Sequence, residues 1–145
     1  MAGYKGSTFC NDLLKLIFNA TNISLLADNT ATTPLTNLYV SLHTADPTAG
    51  GTQLSSEATY TSYARVAVAR TSGGWTVTGA STSPVATISF PQCTGGTNTI
   101  TNFAIGTVTT GGAGKILYSG AISPTISVSN LVTPQLTTST AITEA

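Results

Sequence analysis

A chain of 145 residues, with only 7% charged residues and five Lys/Arg balancing five Asp/Glu, is expected to form one domain with a surface rich in Ser, Thr, Gly and Asn. Nucleic-acid binding depends on clustered Lys/Arg, whereas the five basic residues here are scattered along the chain. The composition therefore argues against a nucleic-acid partner and favours a protein that is held within an assembly.

The first predicted element is a helix over about residues 8–19. Ser7 or Thr8 can cap its N-terminus, and apolar residues follow at helical spacing. A helix with so wide an apolar face packs either on the sheet of its own domain or on a neighbouring subunit, and both alternatives stay open. The residues on this face are Phe9, Leu13, Leu16 and Ile17, widened by Leu14 and Phe18.

The period changes to two at LYVSLHTADP, residues 38–47, which predicts a strand. Asp46-Pro47 ends this strand, because proline lacks the N–H that a ladder needs, and a loop then reaches about residue 62. The two faces of the strand carry Leu38, Val40 and Leu42 inward, and Tyr39, Ser41 and His43 on the opposite, more polar face.

Short strands with Gly/Pro turns fill the rest of the chain. Residues 63–70 and the strand that begins at Trp75 are predicted to form a hairpin around Ser72-Gly73-Gly74. Further strands are predicted over about 85–90, 100–108, 115–122, 125–128 and 131–136. The fold class is therefore predicted to be all-β: a jelly-roll-like antiparallel β-sandwich of about eight strands over 37–136 with one N-terminal helix. Residues 137–145 are predicted to be a flexible tail, or an arm that orders on a partner.

Cys10 and Cys93 are too few for a disulfide scaffold, so both are expected to be free thiols. The first residues lack the charged start and apolar run of a signal peptide, and no apolar run approaches the roughly 18 residues of a membrane span. We therefore expect no membrane association.

His43, the only histidine, lies three residues before Asp46. Two such side chains could ligate a metal, but zinc generally needs three or four ligands, and neither a second histidine nor a Cys-x-x-Cys pair completes the set. No Gly-x-Ser-x-Gly motif supplies a nucleophilic serine. We expect His43 on the polar face of a strand and Asp46 in an Asx-type turn, with no metal, cofactor or catalytic residue.

GGAGK, residues 111–115, resembles a phosphate-binding loop only in part. The positions where that motif requires its first Gly and its Ser/Thr hold Thr109 and Ile116. Since strands are predicted on both sides, the segment is predicted to be a hairpin turn.

Two further groups have more than one interpretation. Glu57 could pair with Asp46 as glycosidase carboxylates, but an ion pair with Arg65 or plain solvation is favoured. Trp75 and the tyrosines could form a platform for a sugar ring, although packing in the core or in a hairpin is favoured for Trp75.

The order of motifs resembles a widespread family of small virion proteins of tailed bacteriophages, described as tail-fibre-like, with some relatives serving as capsid decoration or cement proteins. The resemblance covers about residues 8–136, and LYVSLHTADP with YAR at this spacing is its strongest element. The family tends to place glycines before YAR, where this chain has Ala58-Thr59-Tyr60-Thr61-Ser62. The segments that carry it are FCNDLLKLIF, LYVSLHTADP, SYARVAV, ITNFAIGT and GKILYSGAIS.

The resemblance implies a structural protein of the virion and not an enzyme. Our leading hypothesis is a capsid cement or decoration protein on the capsid surface, assembled in the bacterial host cytoplasm as a dimer or trimer with the major capsid protein as its partner. The alternative is a tail-fibre or baseplate component that binds a glycan through Tyr60, Tyr63 or Trp75. The residues expected at subunit or partner contacts are Phe9, Leu13, Ile17, His43, Asp46, Glu57, Tyr60, Tyr63 and Arg65.

Overall fold

A computed structural model describes residues 7–22, 34–48 and 50–144, with side chains from Cys10 onward. It contains one helix and nine strands within those ranges, all the mapped pairings being antiparallel. The predicted all-β class with a single leading helix is confirmed. The elements are α1 (Ser7–Asn19), β1 (Asn37–His43), β2 (Val66–Ala69), β3 (Trp75–Thr78), β4 (Ser81–Pro84), β5 (Ile88–Ser89), β6 (Asn98–Gly106), β7 (Ile116–Val128), β8 (Gln135–Leu136) and β9 (Ile142–Thr143).

Two strand predictions were wrong. β4 has the sequence STSP, which lacks an apolar alternation, and it forms because it pairs residue by residue with β3. β7 is one strand of 13 residues, although Pro124 was expected to divide it. Its register with β6 shifts instead, from Ala121 opposite Asn102 to Ile126 opposite Ile100, so the proline lies in an irregular stretch that the ladder bypasses.

The hairpin predicted across Ser72-Gly73-Gly74 does not form. The turn exists, with the Gly74 N–H donating to the Thr71 carbonyl at 2.9 Å. However, β2 joins a four-stranded sheet of order β2-β1-β6-β7, whereas β3 belongs to a separate sheet of order β3-β4-β9. The true partner of β3 is β4, connected through Gly79, whose φ of 59° suits a two-residue hairpin loop.

The chain divides into two compact units. Unit 1 contains the described residues of Met1–Thr36, Ala69–Thr87 and Thr137–Ala145, and unit 2 contains Asn37–Val68 and Ile88–Leu136. Each unit has its own buried apolar residues. The single domain expected from the sequence stays a prediction.

In unit 1, α1 packs on β3 and β4 of the same chain, in line with the first of the two alternatives given for the helix. The buried residues of α1 are Cys10, Leu14 and Phe18, spaced by four, and the Phe18 ring meets Trp75 edge-on at 4.8 Å between centroids. The buried face of α1 is therefore rotated from the predicted one. The apolar stripe of the helix is wider than the part that contacts the sheet. Leu13, Leu16 and Ile17 are only half-buried, and the side chain of Phe9 lies outside the described residues.

The C-terminal end of α1 is capped by Arg70. Its Nε and Nη2 atoms donate to the carbonyls of Ile17 and Leu16, each at 2.5 Å, and Nη1 donates to the Leu35 carbonyl at 3.2 Å. The last carbonyls of a helix have no partner within the helix and carry its negative dipole end. One guanidinium therefore satisfies two of them and supplies the favourable charge.

In unit 2, β1 lies between β2 and β6, at the centre of the sheet. Its predicted inner residues Leu38, Val40 and Leu42 are all buried, which confirms that face. Ser41 and His43 on the opposite face are buried as well, so the expected polar face does not meet solvent. A central strand can be covered on both faces, and alternation alone does not distinguish that case.

Cys10 and Cys93 are both buried free thiols, as expected. Within the described ranges, no helix has the length and apolar character needed to cross a membrane.

Candidate functional site

The loop after β1 turns back and runs antiparallel to the end of that strand. Glu57 forms a bridge with His43, and the Ala58 N–H donates to the Leu42 carbonyl at 2.8 Å. The Thr44 N–H likewise donates to the Ser56 carbonyl at 2.8 Å. These bonds satisfy backbone groups beside the end of β1 and place the carboxylate of Glu57 at a fixed position.

Glu57 accepts three hydrogen bonds. Arg65 donates from Nε to Oε1 at 2.7 Å and from Nη2 to Oε2 at 2.8 Å, and the Tyr63 hydroxyl donates to Oε1 at 2.9 Å. The Tyr63 oxygen in turn accepts from the Leu42 N–H at 3.0 Å. Of the two roles favoured for Glu57, the ion pair is therefore the one that forms. We call Glu57, Tyr63 and Arg65 the Glu57 cluster.

The ion pair is largely removed from solvent, because the side chains of Arg65 and Glu57 are only 3% and 11% exposed. Burial also raises the pKa of the Tyr63 hydroxyl far above its ordinary value, and the nearby Glu57 carboxylate acts in the same direction. Tyr63 therefore stays a neutral donor to Glu57.

Arg65 also binds the turn between β6 and β7. Its Nη1 donates to the Val108 carbonyl at 3.0 Å, and Nη2 donates to the Gly111 carbonyl at 2.9 Å. This turn is the GGAGK segment, which the structure confirms as a hairpin connection, with Gly111 at φ 74°. Arg65 thus joins the Glu57 loop to the hairpin.

Gln53 makes a second connection between the same loop and hairpin. The side chain is fully buried, and Oε1 accepts from the Val108 N–H at 3.2 Å. It lies against Gly106, where an added Cβ would come within 2.0 Å of the Gln53 Cδ. Sequence reasoning missed this residue, because one glutamine in a polar loop carries no pattern that distinguishes burial from solvation.

His43 is fully buried and both of its ring nitrogens are engaged. Nδ1 donates to the Ser55 carbonyl at 2.8 Å, and Nε2 lies 2.9 Å from the Ser41 hydroxyl, from which the neutral ring accepts. Burial lowers the pKa of His43, partly opposed by the Ser55 bond and the Glu57 carboxylate. The ring is fully buried within this chain, and the subunit contact expected at His43 stays a prediction.

Asp46 forms the predicted Asx-type turn, since Oδ1 accepts from the Thr48 N–H at 2.9 Å. Among the described residues, no group of three or more His, Cys, Asp or Glu side chains is placed to hold a metal ion. Neither His43 nor Asp46 therefore lies in a metal-binding group of that size.

The aromatic rings proposed for sugar stacking are mostly inside the protein. Trp75 and Tyr60 are 2% and 3% exposed, which confirms core packing for Trp75. Tyr60 donates to the Pro91 carbonyl at 3.0 Å, and burial raises its pKa to about 12. Tyr63 packs edge-on against Tyr60 and is stacked with Phe90. Neither Trp75 nor Tyr60 presents a free face to a sugar ring.

A cleft of about 240 Å³ opens beside the Glu57 cluster. Glu57 Oε2 and Arg65 Nη1 each have one hydrogen-bond partner, so each retains capacity for a second, one as acceptor and one as donor. The Glu57–Arg65 ion pair has no net charge, so it can form hydrogen bonds with an uncharged polar group. Its carboxylate is already bound to Arg65 and is not free to act as a base. The lining residues are Glu57, Tyr63, Ala64, Arg65, Thr109, Thr110 and Gly111.

The match to known protein families covers most of both units. The model of a family described as Podophage GP4 fiber I protein gp80 matches residues 14–141, from the middle of α1 to the residue before β9. The chain belongs to this family. As a member of the gp80 fibre family, it is a phage virion structural protein of the tail-fibre-like type, in agreement with the resemblance of its motifs. A search of the curated proteins found no match.

Of the residues expected at contacts, the structure brings Glu57, Tyr63 and Arg65 into one cluster, with Tyr60 beside Tyr63. The structure does not test whether any of them meets a partner. It adds participants that the sequence did not indicate, namely Gln53 and the backbone carbonyls of Ser55, Val108 and Gly111. Backbone acceptors have no sequence signature, so only the fold reveals them.

Proposed function

We propose that this chain is a non-enzymatic structural subunit of a podophage fibre, present in several copies and acting through surface contacts. The observation that carries the proposal is the match to the gp80 fibre family over residues 14–141. The all-β architecture supports it, since antiparallel strands present edges and turns through which copies can associate.

The absence of enzymatic activity is supported by what the titratable side chains do. General acid–base chemistry needs a group that exchanges protons with substrate. Glu57 is bound by Arg65 and Tyr63, and His43 is fully buried between two partners. These groups stabilise the loop, and they are poorly placed to meet a substrate.

The second candidate is a capsid cement or decoration protein whose partner is the major capsid protein. The motif resemblance extends to relatives of that kind, and the charge-poor composition suits attachment through apolar contact and backbone hydrogen bonds. A subunit that binds only the assembled shell would stabilise it by mass action.

A glycan contact through Tyr60 or Trp75 is not part of the proposal, because both rings are buried. The cleft beside Glu57 has hydrogen-bonding groups, and Tyr63 is the one aromatic residue that lines it.

The copy number in purified virions separates the two candidates. Quantitative mass spectrometry would measure this chain against the major capsid protein of the same particles. A fibre subunit should be present at roughly a few dozen copies or fewer, following the symmetry of the fibre, whereas a cement protein should reach hundreds. Antibody labelling of intact particles would then locate the chain on the head or the tail. Absence from purified virions would contradict both candidates.

A further inference from the structure

Residues 137–144, which we call the arm, belong to unit 1 as an added strand. β9 pairs antiparallel with β4, with Thr143 opposite Ser81 and Ile142 opposite Thr82. The Glu144 N–H donates to the Ala80 carbonyl at 2.8 Å. The edge of β4 is thus an acceptor for a short strand, and we call it the arm site.

The arm buries little side-chain surface in this site. Ile142 is the one buried side chain within residues 137–144. Opposite it, the Thr82 hydroxyl is buried and has no hydrogen-bond partner among the described residues. The cost of an unsatisfied buried hydroxyl is of the same order as the gain from burying one aliphatic side chain. The burial of Ile142 therefore contributes little net free energy to holding the arm closed.

Residues 137–141, which connect β8 to β9, can act as a hinge. β8, directly before them, pairs with β5 in unit 2. Residues 137–141 are polar and exposed, apart from half-buried Thr140 and the small Ala141. The hydrogen bonds found there are local, from the Thr140 N–H to the Thr137 carbonyl at 3.0 Å and from the Ser139 N–H to the Thr137 hydroxyl at 3.3 Å. Because these bonds lie within the hinge itself, the hinge can extend without breaking a hydrogen bond of its own to β4 or β5.

We propose that the arm of one copy occupies the arm site of a second copy, so that neighbouring subunits are linked by exchanged strands. The occupant is specified by the structure, because the segment seen on β4 is the one that the second copy would supply. The exchanged arm recreates every contact of the closed arm, so the net cost is small and high local concentration favours it. This inference deepens the proposed function and rests on it, since a virion structure provides that concentration.

Two variants of the full chain test the exchange, each with one cysteine added to the buried native Cys10 and Cys93. Ser81→Cys is made in one copy and Thr143→Cys in another, at positions that are directly opposite in the β4–β9 ladder. When they are mixed and oxidised, we expect a covalent dimer with one copy of each, in a yield that rises with protein concentration. Adding Ile142→Asp to the Thr143→Cys chain should reduce that yield at least several-fold. Ala113→Cys, on an exposed turn, is the matched control for Ser81→Cys and should give only background dimer.

A chain that carries both Ser81→Cys and Thr143→Cys shows whether the two cysteines can form a disulfide within one chain. If it closes within one chain while the mixed variants give no dimer above the Ala113→Cys background, the exchange is wrong. A second measurement needs no disulfide: tagged and untagged wild-type chains should co-purify after mixing, and Ile142→Asp in both should abolish this. Chains that stay separate at every concentration overturn the proposal. Both measurements use purified chains, so their failure leaves the copy-number test of the fibre function unaffected.

Discussion

Two arginine side chains of this protein fix its own backbone. Arg65 connects the Glu57 loop to the β6–β7 turn, and Arg70 binds two carbonyls at the end of α1. In a protein with only five basic residues, two are thus committed to internal contacts. Substitutions of these side chains should change stability first, and assembly only as a consequence.

Glu57→Gln should strongly destabilise unit 2. The substitution removes the charge that compensates Arg65, whose side chain is 3% exposed, and breaking a buried pair from one side leaves an uncompensated charge. We expect the free energy of unfolding to fall by roughly 3 kcal/mol, measured by urea denaturation.

Asp46→Asn is the matched control for Glu57→Gln. Asp46 is exposed, and asparagine can also accept from the Thr48 N–H, so the change should stay within about 0.5 kcal/mol. Equal stability of the two variants would show that the Glu57–Arg65 pair contributes little.

His43 should make stability depend on pH. Burial lowers its pKa below the ordinary value of 6.5, so the unfolded chain binds more protons than the folded chain between the two pKa values. The free energy of unfolding that the neutral ring contributes is fully present above the pKa of the unfolded state. It is lost as the pH falls from that pKa towards the lower pKa of the folded state. Unfolding free energies at about pH 7.5 and about pH 5.5 should therefore differ, with the lower value at acidic pH.

His43→Gln separates this effect from the carboxylates, because its amide can donate and accept but does not titrate. The difference between the two pH values should be smaller in His43→Gln than in the wild type. An unchanged difference would mean that His43 does not control the pH dependence.

At the scale of elements, the β6–β7 hairpin and the Glu57 loop depend on a close approach of backbone and side chain. Gly106→Ala places a Cβ 2.0 Å from the buried Gln53 Cδ, so Gln53 must move and its bond to the Val108 N–H is lost. We expect a loss of about 1 to 3 kcal/mol in unfolding free energy.

Gly50→Ala is the matched control, because an added Cβ there meets nothing within 4 Å. The cost of Gly106→Ala should also shrink in a Gln53→Ala background, since the double variant removes the clash. If the cost is the same with and without the Gln53 side chain, the proposed contact is not its cause.

The elements that the sequence predicted well are those fixed by local pattern: α1, β1 and the turn at GGAGK. The elements that it missed depend on partners distant in the chain. β4 has little strand pattern and forms because it pairs with β3. The sequence predicts a tail or arm at residues 137–145, and β9 forms there because it pairs with the edge of β4. The Glu57–Arg65 pair was among the expected alternatives, but its environment was not, because the Val108 and Gly111 carbonyls come from a distant hairpin.

At the scale of the whole molecule, the neutral, charge-poor composition determines how attachment should respond to salt. Screening weakens contacts between exposed charges but has little effect on apolar contact or backbone pairing. The chain should therefore remain on virions through a moderate rise in ionic strength, as measured by sedimenting particles and quantifying the chain in pellet and supernatant. Complete release by salt alone would show that charge holds it in place.

The two units are interleaved along the chain. Unit 1 contributes three segments and unit 2 contributes two, so the backbone passes between them four times. A protease cut at any one passage would leave the other three covalent connections in place. A gene divided at the same point would yield two fragments that each lack part of a core. We therefore expect a folded chain with one such cut to hold together, and two fragments made separately to fold poorly.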